Sequence, residues 1–99
     1  MKNSISQLFY IKRSKADSRG KVNIYLRITV NGKRAELSIQ RKVSLDKWNS
    51  SAGKVKGFSS EAQEINQYID LISTKINKIH QRFIQEDKPF TAINIRDKY

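Results

Sequence analysis

The sequence predicts an α+β domain in which a three-stranded antiparallel sheet packs on one long C-terminal helix. Residues 5–40 alternate between apolar and polar side chains, as half-buried strands do. Residues 60–87 instead carry apolar side chains at helical spacing. The length of 99 residues suits one small domain and excludes two independent cores. Because only one sheet face is apolar, we expect the second face to be solvent-exposed and basic.

A β-hairpin is centred on Asn31-Gly32, a pair that favours the type I′ turn. If these two residues form the loop, one hairpin face is apolar throughout and the other is polar throughout. A shift of one residue would mix the two faces, so the pattern also predicts the register. The predicted pairs are Val30–Lys33, Thr29–Arg34, Ile28–Ala35, Arg27–Glu36, Leu26–Leu37, Tyr25–Ser38, Ile24–Ile39 and Asn23–Gln40.

The remaining residues before the long helix are predicted as short elements. Residues 5–13 are rich in β-branched and aromatic side chains and form the first strand, followed by a polar loop over 14–21. Residues 44–48 suit one helical turn with Ser44 as N-cap, and residues 49–57 suit a loop or short extended arm. Trp48 is expected either to plug the edge of the sheet or to stack on a base.

The long helix is predicted over residues 60–87, with Ser59 or Ser60 as N-cap and Pro89 beyond its end. At ~40 Å it exceeds a strand of ~26 Å, so it overhangs the sheet or breaks near Ser73-Thr74. Leu71 lies off the apolar stripe and is either exposed or a protein contact. Residues 88–99 form a short helix capped by Thr91, or a linker. The apolar stripe comprises Phe58, Ala62, Ile65, Ile69, Ile72, Ile76, Ile79 and Phe83. The predicted core comprises Phe9, Ile11, Ile24, Leu26, Ile28, Leu37, Ile39, Trp48, Ile65, Ile69, Ile72 and Ile76.

Positive charge is concentrated in the first part of the chain. Residues 1–57 hold 14 Lys and Arg against 3 Asp and Glu, whereas residues 58–99 hold 6 of each. Such an asymmetry is typical of a protein that binds a polyanion. The alternatives are a basic solvated surface or an acidic membrane surface, but the basic half lacks the pattern of a basic amphipathic helix. No stretch reaches the ~18 apolar residues of a membrane span, and the start lacks the apolar region of a signal peptide.

Catalysis is poorly supported by the residues present. The chain has no Cys, and its one His, His80, lies within the predicted helix without ligand partners. The acidic residues do not cluster, and the four glycines fall at separate turns, so no phosphate-binding loop is formed. We therefore expect no catalytic residue, no metal site and no cofactor.

Nucleic-acid contact is better supported, because the polar face of the sheet is rich in donors that bond phosphates and base edges. Arg27 and Glu36 have two possible roles. They form either an exposed cross-strand ion pair, or a pair in which Glu36 holds the guanidinium extended until DNA arrives. The candidate nucleic-acid-binding residues are Tyr10, Lys12, Arg13, Lys15, Tyr25, Arg27, Thr29, Lys33, Arg34, Glu36, Ser38, Gln40, Arg41 and Lys42.

Three motifs carry a resemblance to a known family. These are residues 9–15 (FYIKRSK), residues 24–36 (IYLRITVNGKRAE), and Trp48-Asn49 followed by residues 53–57 (GKVKG). Together they resemble the amino-terminal arm-site DNA-binding domain of phage-type tyrosine recombinases, the integrases of conjugative transposons and prophages. The resemblance implies a three-stranded sheet laid into the major groove of arm-type sites on double-stranded DNA. It places Tyr25, Arg27, Thr29, Arg34, Glu36 and Ser38 on the face that the family uses.

The resemblance also sets expectations for the whole protein. Residues 1–87 correspond to the arm-binding domain, and residues 88–99 lead towards a core-binding and catalytic region that is absent here. The chain is then a fragment or a stand-alone relative that does not cut DNA, and Tyr99 is not the nucleophile. Recombinase self-assembly would depend on the rest of the parent chain, and the location would be the bacterial cytoplasm, at the nucleoid. The alternatives are an RNA-binding or ribosome-associated module, and a protein-interaction module that forms a coiled coil.

Overall fold

The computed structural model describes residues 5–99. Residues 1–4, part of the start that was compared with a signal peptide, lie outside this range. The structure confirms the α+β class. The strands are β1 (Ile5–Ile11), β2 (Lys21–Val30), β3 (Lys33–Ser44), β4 (Trp48–Asn49) and β5 (Lys54–Val55), and the helices are α1 (Ser60–Gln85) and α2 (Ala92–Lys98). Single 3₁₀ turns cover Arg13–Lys15 and Leu45–Lys47.

Strands β1, β2 and β3 form an antiparallel meander in that order. The predicted hairpin register is confirmed from Val30–Lys33 to Tyr25–Ser38, but it is wrong at the other end, where Asn23 faces Lys42. Opposite Ile24, β3 forms a bulge in which Gln40 has a φ of +62°. The predicted register continues to Val22–Arg41, whereas the bulge brings Val43 opposite Val22 and buries both side chains. Burial of this apolar pair explains why β3 bulges and extends to Ser44.

Helix α1 covers the apolar face of the sheet without a break at Ser73-Thr74. The Thr74 hydroxyl donates to the Asp70 carbonyl one turn earlier, at 3.0 Å, which an intact helix accommodates. The Ser59 hydroxyl accepts a hydrogen bond from the Ala62 amide at 3.1 Å and caps the helix as predicted. The stripe is confirmed from Ala62 to Ile76, and Ile79 and Phe83 are half-buried.

The prediction that Phe58 belongs to that stripe is wrong, since 92% of its surface is exposed. Phe58 precedes the N-cap and therefore has no helical face to share. Leu71, the other uncertain position, is 49% exposed on α1.

The last segment of the chain folds back onto the core. Thr91 and Asn94 form a reciprocal capping box at the start of α2. Phe90, Ala92 and Ile95 are buried, and α2 packs against β3, β2 and α1. The domain boundary expected near residue 87 stays a prediction, although these side chains belong to the same core as the sheet.

Strands β4 and β5 form a two-stranded ribbon where a loop or arm was expected. Trp48 is 3% exposed and faces Val55, so it plugs the core and is not available to stack on a base. The Asn66 side chain of α1 bonds both the amide and the carbonyl of Val55, at 2.9 and 3.0 Å, and ties the ribbon to the helix. Ser44 stands at the N-cap position of the 3₁₀ turn Leu45–Lys47, but its side chain makes no capping hydrogen bond there.

The core lies between the sheet and the two helices. Most of its predicted members are buried, but Ile11 and Leu37 are only partly so. Within residues 5–99, no helix is long and apolar enough to cross a membrane. The predicted core list left out Val22, Val30, Ala35 and Ala62, although the apolar strand face and the helix stripe already contained them. The buried side chains that the sequence missed are Val43, Val55, Phe90, Ala92 and Ile95.

Candidate nucleic-acid interface

The sheet has one face turned away from the helices, and we call it the outer face. Every second residue of β2 is buried against the helices, so the polar residues between them lie on the outer face. Their cross-strand partners on β1 and β3 lie on the same face. The outer face comprises Ser6, Leu8, Tyr10, Lys12, Asn23, Tyr25, Arg27, Thr29, Arg34, Glu36, Ser38 and Lys42.

The strand pairing arranges these side chains in rows across the sheet. The middle row is Leu8, Arg27 and Glu36; on one side of it lies the row Ser6, Thr29 and Arg34, and on the other the row Tyr10, Tyr25 and Ser38. The structure therefore brings together nine polar, aromatic or apolar side chains from three strands. Among them, Leu8 is the exposed apolar side chain, at 46%.

Two tyrosines and two cations interlock on this face. The rings of Tyr10 and Tyr25 are 5.9 Å apart between centroids. The Lys12 ammonium lies 4.3 Å from the Tyr25 ring centroid, and the Arg27 guanidinium lies 4.7 Å from that of Tyr10. Both distances lie in the range of cation–π attraction, which holds the two charged groups over the sheet.

Glu36 has other partners than the sequence predicted. Arg27 and Glu36 do face each other in the register, but the carboxylate accepts a hydrogen bond from Lys12 Nζ at 2.6 Å and another from the Tyr10 hydroxyl. Both donors come from the β1 side and reach across β2, as long side chains on diagonal positions can. The expected Arg27–Glu36 ion pair is thus replaced by Lys12–Glu36, and the guanidinium rests on Tyr10 instead.

The loop between β1 and β2 is organised by Asp17, which sequence analysis did not select. Its Oδ1 accepts hydrogen bonds from the amides of Lys21 and Arg19 at 3.0 and 2.9 Å, and its Oδ2 lies 3.3 Å from Lys42 Nζ. These bonds, chiefly those from the two amides, hold the pKa of Asp17 below its ordinary value. The sequence does contain a pattern that indicates this role, since Asp17 stands three residues before Gly20 in a polar loop and Asp side chains commonly bond nearby amides in turns.

The loop places further candidates at one end of the sheet. Arg13 and Lys15 lie in the 3₁₀ turn that follows β1, and Lys42 meets the loop through Asp17. Lys33 lies beside Arg34 at the opposite end, at the hairpin turn, where both are exposed. Basic side chains therefore flank the rows of the outer face at both ends.

Arg41 lies apart from the outer face. Its guanidinium stacks over the ring of Tyr68 on α1, 4.1 Å from the centroid, because the bulge at Gln40 turns the backbone here. Tyr99 contacts the same tyrosine. The pKa of Tyr99 is raised, mainly by partial burial and secondly by a hydrogen bond with Tyr68. Gln40 itself is exposed on the bulge.

Among residues 5–99, no three His, Cys, Asp or Glu side chains are arranged to hold a metal ion. His80 packs edge-on against Phe90 with their ring centroids 5.3 Å apart, as expected for a structural histidine in a helix.

Comparison with known proteins identifies the family. The sequence profile of the Arm DNA-binding domain matches residues 9–96. No curated protein and no solved structure matches the chain. The match spans nearly the whole chain and includes β2, β3 and the last three residues of β1, the strands that build the outer face. The chain therefore belongs to the Arm DNA-binding domain family, the arm-type DNA-binding domains of phage integrases, and its partner is DNA.

Proposed function

We propose that this chain is the arm-site binding module of a site-specific tyrosine recombinase, and that it lays its outer face in the major groove of duplex DNA. The observation that carries the proposal is the outer face itself, where three strands present rows of donors away from the core. The chain would bind DNA without cutting it. Strand cleavage and self-assembly would depend on other domains of the parent recombinase.

The dimensions of the sheet suit this docking mode. Neighbouring strands lie ~4.8 Å apart, so the backbones of β1 and β3 are separated by ~10 Å. The major groove is ~12 Å wide and admits elements of this width. The middle strand then lies deepest over the base edges, and the two edge strands face the phosphate walls. This geometry favours base contacts from β2 and phosphate contacts from the margins of the sheet.

Arg27 is our principal candidate for reading the sequence. It lies in the middle of the middle strand, and its guanidinium rests on the Tyr10 ring. Stacking restricts the side chain before DNA arrives, so less conformational entropy is lost on binding. A guanidinium forms two parallel hydrogen bonds with a guanine edge, which is the commonest specific contact in this groove.

The other candidates are assigned by position. Tyr10, Tyr25, Thr29 and Ser38 would contact bases or sugars beside Arg27, and Glu36 would limit binding at wrong sequences. Lys12, Arg13, Lys15, Lys33, Arg34, Gln40, Arg41 and Lys42 would contact phosphates, with Arg41 and Gln40 approaching from the end of the sheet.

The test compares the wild-type chain with Arg27→Ala on two duplexes. One duplex is selected from a random library by binding to the wild type, and the other is its scrambled counterpart. Arg27→Ala should lose roughly 1–3 kcal/mol of discrimination between them, because a bidentate base contact is removed. Arg82→Ala is the matched control, since it deletes the same charge from an exposed position on α1.

Two outcomes would contradict the proposal. If Arg27→Ala binds both duplexes as the wild type does, the outer face is not the reading surface. If duplex RNA competes as well as the selected DNA, the RNA-binding alternative gains support, since RNA duplexes are recognised mainly by shape across the minor groove.

A further inference from the structure

Two lysines flank the β4–β5 ribbon: Lys47 ends the 3₁₀ turn before β4, and Lys56 follows β5. Trp48 and Val55 face each other and point into the core. The next pair along the ribbon is Lys47 and Lys56, joined by a hydrogen bond from the Lys56 amide to the Lys47 carbonyl at 2.6 Å. Successive pairs on a ribbon point to opposite sides, so both lysines project outward, and both are exposed.

Two like charges directly opposite each other destabilise a β-ribbon. Among residues 5–99, the ion pairs do not include Lys47 or Lys56, whereas Lys54 on the same ribbon pairs with Asp70 of α1 at 2.9 Å. Within the described residues, no ion pair therefore offsets the repulsion between these two lysines. An external anion would remove this cost.

The lysine pair lies next to the basic loop at one end of the sheet. The Leu45 amide, two residues before Lys47, donates to the carbonyl of Gly20 in the basic loop at 3.1 Å. The other end of the ribbon, at Gly53, lies beside the edge strand β1. A Cβ atom added to Gly53 would lie 3.5 Å from the Phe9 carbonyl oxygen. The turn of the ribbon therefore lies at the β1 edge, and the lysine pair lies at the opposite end, next to the loop that joins β1 and β2.

We propose that Lys47 and Lys56 form a second DNA contact that grips the phosphate backbone beside the groove occupied by the outer face. The inference rests on the proposed docking mode, which turns the margins of the sheet, including the basic loop beside the lysine pair, towards a phosphate wall. The ribbon adds affinity at this wall without reading sequence, because phosphates carry no base information. Its occupant is the flanking backbone of the same duplex, to which the charge of the pair is complementary.

The first experiment measures the salt dependence of binding to the selected and scrambled duplexes. The double variant Lys47→Ala/Lys56→Ala should show a slope of log K against log salt that is shallower by about 2, since each phosphate contact contributes ~0.9. The ratio of the two affinities should not change. Lys75→Ala/Lys78→Ala is the matched control, because it removes two exposed lysines from α1 and the same net charge.

The second experiment locates the contact directly. The chain contains no cysteine, so Lys56→Cys and Lys78→Cys can each be labelled uniquely with an iron chelate that cleaves nearby DNA. Label at position 56 should cut the backbone adjacent to the protected groove, whereas label at position 78 should not.

Several results would overturn the inference. These are equal slopes for the two double variants, or absence of cuts from position 56. If those results occur while Arg27→Ala still loses discrimination, the docking mode survives and only the ribbon contact fails. If Arg27→Ala has no effect, the docking mode itself is wrong. Binding of a second protein copy through the ribbon would instead appear as concentration-dependent sedimentation that the lysine variants abolish without any change in the slope.

Discussion

Glu36 is the acidic residue at the centre of the outer face, and it neutralises a cation that DNA would otherwise meet. Its carboxylate is bound by Lys12, and the two side chains are 37% and 31% exposed. An ion pair this exposed contributes only ~0–1 kcal/mol to folding. Its main effect is therefore on binding, because a phosphate must compete with Glu36 for Lys12.

We expect Glu36→Gln to release Lys12 and so raise affinity for the scrambled duplex, with a salt slope steeper by about 1. Discrimination between the selected and scrambled duplexes should fall, since non-specific binding gains more than specific binding. Filter binding or fluorescence anisotropy at two salt concentrations measures both effects. Glu64→Gln, which removes an exposed carboxylate from α1, is the control; equal effects of the two variants would show that only net charge matters.

Asp17 provides a pH dependence whose sign follows from its lowered pKa. The folded protein holds the proton on this carboxyl more weakly than the unfolded chain, whose ordinary pKa is 3.8. The stability that Asp17 contributes is thus complete above that value and disappears as the pH falls through the lowered pKa. Asp17→Asn should make the melting temperature less sensitive to pH in this acidic range. Parallel curves for the two proteins would contradict the assignment of the shift to folding.

At the scale of the elements, the hairpin and α1 are held together by a continuous apolar layer. Leu26, in the middle of β2, has no exposed surface and lies between its partners Phe9 and Leu37. Helix α2 adds Ile95, which is also fully buried, to the same layer. The outer face thus depends on packing behind it, since a bent or shifted β2 would displace Arg27.

We expect Leu26→Ala to lower the free energy of unfolding by roughly 2–5 kcal/mol, because transfer energy is lost and a cavity is left. For a domain this small, that loss is a large part of a typical total of ~5–15 kcal/mol. Urea denaturation followed by Trp48 fluorescence measures the change. Leu8→Ala is the matched control, as Leu8 is 46% exposed on the outer face; similar midpoints for both variants would refute the layer assignment.

For the whole molecule, the charge distribution governs how strongly it binds any duplex. The 14 basic and 3 acidic residues of the first 57 include every cation of the sheet, its loops and the ribbon. Asp17 and Glu36, two of the three acids, are already paired with Lys42 and Lys12. Most of the basic side chains in this half are therefore available to phosphates.

The isolated chain should bind scrambled DNA weakly and with steep salt dependence. If ~5 phosphates are neutralised, log K should fall against log salt with a slope of about −4 to −5. Titrations at several salt concentrations measure the slope. A slope near zero would show that the excess of positive charge does not act on DNA.

Much of the fold was accessible from local patterns alone. Strict alternation around Asn31-Gly32 predicted the hairpin and most of its register, and the apolar spacing predicted α1 to within two residues of its end. These features depend on neighbours in sequence, which a pattern records directly. The bulge at Gln40 was missed because it serves Val43, whose burial depends on the opposite strand and not on its own neighbours.

The sequence by itself determined most residues of the outer face, since alternation assigns every second side chain of a strand to one side; Gln40, which alternation also assigned there, lies on the bulge instead. Only the tertiary structure decided which of them touch. Lys12 and Glu36 are 24 positions apart and meet across an intervening strand, while the Arg41 guanidinium stacks on Tyr68 of α1. The physical reason is that periodicity determines the direction of a side chain. The partner of a long, charged side chain is instead chosen by the three-dimensional competition among all groups within its reach.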